Sequence, residues 1–227
     1  MRISRFFLII ILLIGTGCAT GGTVQINRAE ELLAKSQRYV SSLDQIPYQP
    51  INPGKSAKFA FDEEATILEE GGKRCFAKGF VLPTLTQAYA VGVTSYKAGT
   101  SLDPIIMYPK VRILDKDYTV TRTLPYTDFV FRSLGQVEGL NTVFFVNNRA
   151  QSESFLLITN WRLDEANLIS SQDNIAGAIP IVVPFPGGFA MWMIRTDKSG
   201  PPIKMKASPT GKMTVEIREY RPKKVGE

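Results

Sequence analysis

The residues that could do chemistry are few, and their types exclude more than they permit. The chain contains no histidine. That removes the Ser-His-Asp triad, the Cys-His pair, imidazole metal sites and the commonest general base. Cys75 therefore has no histidine to activate it as a nucleophile. A Ser-Lys dyad stays open, but no motif marks one. Two acidic clusters, Asp62-Glu63-Glu64 and Glu69-Glu70, flank the short apolar run Ala65–Leu68. A glycosidase needs two carboxyls facing across a cleft, and these read instead as solvated turns beside Gly71-Gly72. Asp115-Lys116-Asp117 reads as a hairpin turn between two strands, because calcium wants more oxygens than two carboxylates bring. Gly187-Gly188 lacks the lysine and the following helix of a phosphate loop. No catalytic residue, no metal site and no cofactor are expected, and the chain reads as a non-enzyme.

Binding chemistry is the alternative, and two segments offer it. Trp161 and Trp192, with Tyr89, Tyr96, Tyr108 and Tyr126, are the aromatic candidates. They read either as core and sheet-face residues or as a sugar-stacking platform, in which Trp161, Trp192, Tyr96 and Tyr126 would carry the contact. The stretch Ala178–Met193, AIPIVVPFPGGFAMWM, carries no charged side chain. Phe189–Ile194 has strand alternation. Ile179–Pro186 does not read as a strand, because its three prolines remove ladder donors, so a long connection over the sandwich is expected. Either it folds down and is buried, or Ile181, Val183 and Phe185 form an exposed patch that docks a partner.

The elements that must position these residues are mostly strands. Asn27 with Glu30 resembles a capping box. Ala29, Leu32, Leu33, Ser36, Val40 and Leu43 follow helical spacing, so an amphipathic helix is expected over 27–43. It would pack on the domain, or serve as a partner-binding face. Beyond Gln45 the period becomes 2. Tyr89, Val91, Val93 and Ser95 alternate with smaller or polar residues, and Phe155–Asn160 is apolar on both sides, as a central strand would be. Ile203–Ser208 and Met213–Ile217 read as a hairpin around Pro209-Thr210-Gly211. Strand after strand without intervening helices excludes a parallel α/β sheet. A mainly β fold follows: an antiparallel two-sheet β-sandwich, jelly-roll-like, over 44–227.

The N-terminus points to the cell envelope. Arg2 and Arg5 precede nine apolar residues, Phe6–Ile14, too short to span a bilayer but suited to a secretory signal. Gly15-Thr16-Gly17 then leads to Cys18, as in a bacterial lipobox whose cysteine is acylated and becomes the first mature residue. Residues 1–17 are thus read as a signal peptide and 18–26 as a lipidated tether. Ala19 after the cysteine points to the outer membrane, facing the periplasm. The 27 Lys and Arg, less Arg2 and Arg5, against 21 Asp and Glu leave the mature chain at +4. The tail RPKK is the one dense basic run, so no nucleic-acid partner is expected.

The order of phrases resembles the maltose operon periplasmic protein family. The likeness lies in Met107–Leu124 (MYPKVRILDKDYTVTRTL), supported by Leu43–Asn52, Ala88–Ala98, Val137–Asn141 and SFLLITNW with Asp164-Glu165. Ala176–Pro186 corresponds to a family loop. The resemblance implies a periplasmic β-sandwich tied to carbohydrate uptake, and supplies no catalytic residue. Together these readings give an accessory lipoprotein that binds or organises an envelope partner, such as an outer-membrane protein or porin component. A carbohydrate-binding sandwich taking an oligosaccharide is the alternative.

Overall fold

The computed structural model describes residues 21–100, 103–134, 137–146, 153–160, 169–170, 179–185, 188–194 and 204–219. The chain opens with helix α1 (Gly22–Lys35). Strands follow: β1 (Tyr48–Pro50), β2 (Ser56–Phe61), β3 (Thr66–Glu70), β4 (Lys73–Val81), β5 (Tyr89–Tyr96), β6 (Ala98–Gly99), β7 (Pro104–Ile106), β8 (Pro109–Leu114) and β9 (Val120–Thr123). After these come β10 (Val130–Leu134), β11 (Val137–Val146), β12 (Phe155–Asn160), β13 (Ile169–Ser170), β14 (Ile179–Phe185), β15 (Gly188–Ile194), β16 (Lys204–Ala207) and β17 (Gly211–Glu219).

Two larger sheets make the sandwich. One runs β1-β4-β12-β8-β9, with β3 also paired to β4; the other runs β10-β11-β5-β17-β2. Their inner faces interleave. Phe76, Phe80, Val111, Ile113, Leu156 and Ile158 of the first meet Phe61, Val91, Val93, Leu140, Val215 and Ile217 of the second in one core. Phe59 crosses to Phe80 with ring centroids 5.4 Å apart, and Phe61 to Phe76 at 6.3 Å. Such ring pairs add to burial about 0.5–1.5 kcal/mol each. Arg122 on β9 closes one side, donating from Nη2 to the carbonyl of Phe145 on β11 at 2.8 Å. The fold is therefore mainly β, a β-sandwich preceded by one helix, as the strand periodicity implied. On β5 the alternation holds: Tyr89, Val91, Val93 and Ser95 are fully buried. β12 is central and buried on both sides from Leu156 to Asn160.

Three readings of the sequence need correction. The helix spans Gly22–Lys35, not 27–43. The Asn27–Glu30 capping box does not form, because the first turn is capped from outside by Asp103. Ser36 turns extended, and Val40 leaves the helix altogether: its N–H and C=O pair with Ile67 and Glu69 in a parallel bridge to β3. β16 and β17 are not a hairpin either. Both edges of β17 are taken by β5 and β2, so β16 pairs with β7 and β13 in a separate small sheet. Third, Ile179–Phe185 is a strand, β14, paired antiparallel with β15 from Ile179↔Ile194 to Phe185↔Gly188. Its prolines are compatible with that pairing. In a hairpin closed by two residues the flanking pair, Phe185 and Gly188, is hydrogen-bonded, and so are positions 183, 181 and 179. Pro180 and Pro184 fall on the alternate positions, whose nitrogens face away from β15, where a missing N–H costs no ladder bond.

Candidate functional site: a moored helix, an apolar hairpin and an aromatic patch

Helix α1 is fixed to the sandwich at both ends. At its N-terminus the Asp103 carboxylate accepts from the Thr23 N–H at 2.8 Å and the Thr23 hydroxyl at 2.9 Å. Lys206 Nζ donates to Asp103 Oδ1 at 2.9 Å and to Thr23 Oγ1 at 2.7 Å. The Thr23 N–H bond, then Lys206, hold the Asp103 carboxyl down at about 2. A carboxylate at a helix N-terminus also complements the helix dipole. At the C-terminus Arg74 donates from Nη1 to the carbonyls of Ser36 at 2.7 Å and Ala34 at 3.3 Å, while its Nε pairs with Glu69 at 2.8 Å. The guanidinium stacks 4.3 Å over the Tyr39 ring. Between these anchors Ala29 and Leu33 are buried in the core. Gly22 is needed for the approach: a Cβ there would lie 2.2 Å from Ile105 Cγ2 and 2.6 Å from the Asp103 carbonyl oxygen. The buried face of α1 is thus occupied by the domain itself.

The hairpin β14–β15 forms a sheet of its own, hydrogen-bonded to no other described strand. In its register Ile179, Ile181, Val183 and Phe185 pair with Ile194, Trp192, Ala190 and Gly188, and Pro180, Val182 and Pro184 pair with Met193, Met191 and Phe189. No charged residue occurs from Asn174 to Ile194. A strand that packs one face and wets the other alternates apolar with polar residues, and the sequence of neither strand does so.

The aromatic set expected to stack sugar is described only in part. Trp161 lies outside the described residues, as does Cys18. Trp192 sits on β15 directly across from Ile181, within the hairpin. Tyr96 closes β5 with its hydroxyl 2.9 Å from Thr214 Oγ1. Tyr126 lies on the turn Tyr126–Asp128, half-exposed. Ring contacts gather instead on the outer face of the first sheet. Tyr118 stacks on Phe155 with centroids 4.6 Å apart and planes 10° from parallel, and Tyr48 leans across both at 5.4 and 4.7 Å. Tyr118 has φ of +60°, a left-handed conformation uncommon for a bulky side chain. The Asp115 carboxylate, accepting from the N–H groups of Asp117 and Thr119 at 2.9 Å each, fixes the turn that imposes it. Asp115–Asp117 is thus the hairpin turn expected from the sequence. Val81 and Val120, each over a third exposed, extend the patch to either side.

Beside this patch lies a buried cation. Across the strands Tyr48, Gly79, Leu157, Arg112 and Thr123 stand in one row. The Tyr48 ring covers Gly79, where a Cβ would come within 2.6 Å of it. Burial pushes the Tyr48 phenol up to about 12, with Tyr118 adding to the shift. The Arg112 side chain is 4% exposed and donates from Nη1 to Glu70 Oε1 at 2.6 Å; its Nε and Nη2 have no hydrogen-bond partner among the described residues. Glu69 and Glu70 are therefore strand residues with cationic partners and not only a solvated turn: the β3–β4 register sets Glu69 across from Arg74, while Glu70, across from Lys73, reaches Arg112 on β8 through its side chain. Sequence spacing had no access to this cluster: residues 48, 118 and 155 meet only through strand pairing. Cys75 is half-buried on β4, packed against the same outer cluster. Among the described residues no group of three or more Asp, Glu or Cys is gathered to hold a metal ion.

Comparison with protein-family models, with curated proteins and with solved structures found no match to this chain.

Proposed function

We propose that the protein is a non-enzymatic lipoprotein of the cell envelope, acylated at Cys18 and held on the periplasmic face of the outer membrane. There it docks a membrane-protein partner through the β14–β15 hairpin, in the service of carbohydrate uptake. The observation that carries the reading is the hairpin: seven residues on each strand, hydrogen-bonded to no other described strand and without a charged residue. Contiguous exposed apolar surface marks binding sites on soluble domains, and the reading places the hairpin's apolar residues at such a surface. Its prolines bear on how it binds. They leave Val182 as the one free N–H among the outward positions of β14, so another strand cannot add there by a regular ladder. Docking goes through side chains, those of Ile181, Val183 and Phe185 in the first place. The link to carbohydrate uptake rests on the family resemblance of Met107–Leu124 and its neighbouring phrases.

The test pairs Val183→Asp with Phe185→Ser in the membrane-extracted protein. Loss of partner co-purification with an unchanged melting temperature is the expected result. If the variant unfolds instead, the hairpin is core and the reading fails, since burying an unpaired carboxylate is severely destabilising. Mass spectrometry of the mature N-terminus checks the anchor: an unmodified Cys18 or Ala19 start refutes it. A second reading, a carbohydrate-binding module, is favoured by the Tyr48–Tyr118–Phe155 patch with its left-handed tyrosine. A rise in melting temperature with oligosaccharide, lost in Tyr118→Ala, would support it.

A further inference from the structure

We propose that the end of the sandwich carrying Gly21, Thr23, Val24, Asp103 and Lys206 is the surface apposed to the lipid headgroups. The proposal rests on acylation of Cys18 and adds to it a fixed orientation. Ala19, Thr20 and Gly21 lead from Cys18 into the first turn of α1. Three residues, fully extended, reach only about 11 Å. A flexible linker long enough to free a domain this size must span far more. Nor does the chain gain slack at Gly21. The first turn of α1 is bonded to Asp103 and Lys206, on the segment before β7 and on β16, and Gly22 sits against Ile105 without room for a Cβ. The point where the tether ends is therefore part of the rigid sandwich. Thr23 and Lys206 are exposed there, and Val24 is an apolar residue 55% exposed on that first turn. The opposite end of β5, at Tyr89 and just after Gln87, lies about 24 Å along the strand from Tyr96. The headgroup plane thus meets the β6–β7–β16 end, and the far end points into the periplasm.

The experiment places a fluorophore on a single cysteine, Val24→Cys or Gln87→Cys, in a Cys75→Ser background. The mature lipoprotein is reconstituted in phosphatidylcholine vesicles containing a nitroxide-headgroup lipid. Residue 24 should lose most of its fluorescence and residue 87 little. Inserting twenty Gly/Ser residues between Thr20 and Gly21, a coil of roughly 25 Å r.m.s. length, should erase the difference. Equal quenching at both positions with the native tether overturns the orientation while leaving acylation intact. A mature N-terminus without lipid, read by mass spectrometry of the same sample, overturns both. Circular dichroism of each labelled variant confirms that quenching is read on the folded protein.

Discussion

Replacing Arg112 with methionine should stabilise the protein. The guanidinium is buried, and two of its three nitrogens, Nε and Nη2, find no acceptor among the described residues. Leaving a buried donor unpaired costs about 1–3 kcal/mol. Against this stands one ion pair to Glu70, whose side chain is 51% exposed. Water screens such a pair and holds its worth to about 1 kcal/mol. Methionine keeps most of the volume between Tyr48, Leu157 and Thr123 and brings no polar atom that needs a partner. The unpaired donors win: a net gain of about 1–2 kcal/mol is expected, within the range for buried ion pairs replaced by apolar residues. In a chain of this length that raises the melting temperature by roughly 2–8 °C. Glu70→Gln is the companion. It removes the carboxylate and leaves the cation buried, so it should destabilise by about 1–3 kcal/mol. Thermal melts and urea titrations of both variants, with unchanged m-values, read the two signs. A fall of several degrees in Arg112→Met would refute the reasoning and show that the guanidinium holds the sheet together. A rise would mean that Arg112 is retained beside the aromatic patch at a cost in stability, as residues serving binding often are.

Gly22→Ala should loosen the helix: overpacking against Ile105 and the Asp103 carbonyl costs about 1–3 kcal/mol, more than the roughly 1 kcal/mol that alanine gains over glycine in a helix. Hydrogen exchange of α1 amides should quicken, and an unchanged rate would refute the close approach. Acid should release the same mooring. The Asp103 carboxyl is held at about 2 against an ordinary 3.8, so its contribution is complete above pH 4 and lost as pH falls toward 2. Pepsin cleavage within Gly22–Lys35 relative to Asp103→Asn should rise across that window, and a constant ratio would contradict the assignment. Arg74→Met should free the C-terminal turn by removing the donors to Ser36 and Ala34 and the pair with Glu69; faster exchange confined to Ala29–Ser36 and the β3 bridge is the readout.

What the sequence by itself determined is whatever depends on local period and residue type. The alternation in Tyr89–Tyr96 and the two-sided burial of Leu156–Asn160 were legible because a strand in a sandwich must put every second residue in the core, or all of them if it is central. The Asp115 turn was legible because its carboxylate bonds to backbone only two and four residues on. The absence of histidine limited the chemistry without reference to any fold. The tertiary structure decided what depends on contact between distant residues. The helix starts at Gly22 because Asp103, eighty residues away, caps it; no local capping signal reports that. Met213–Ile217 lost its expected hairpin partner because β5 and β2 compete for both of its edges, and pairing preference is settled by the whole sheet. The prolines of Ile179–Phe185 argued against a strand until the register with Gly188–Ile194 placed them on an edge that needs no donor. Tyr48, Tyr118, Phe155 and Arg112 became neighbours for the same reason. Cross-strand order, which no spacing in the chain encodes, set them in adjacent rows on one face.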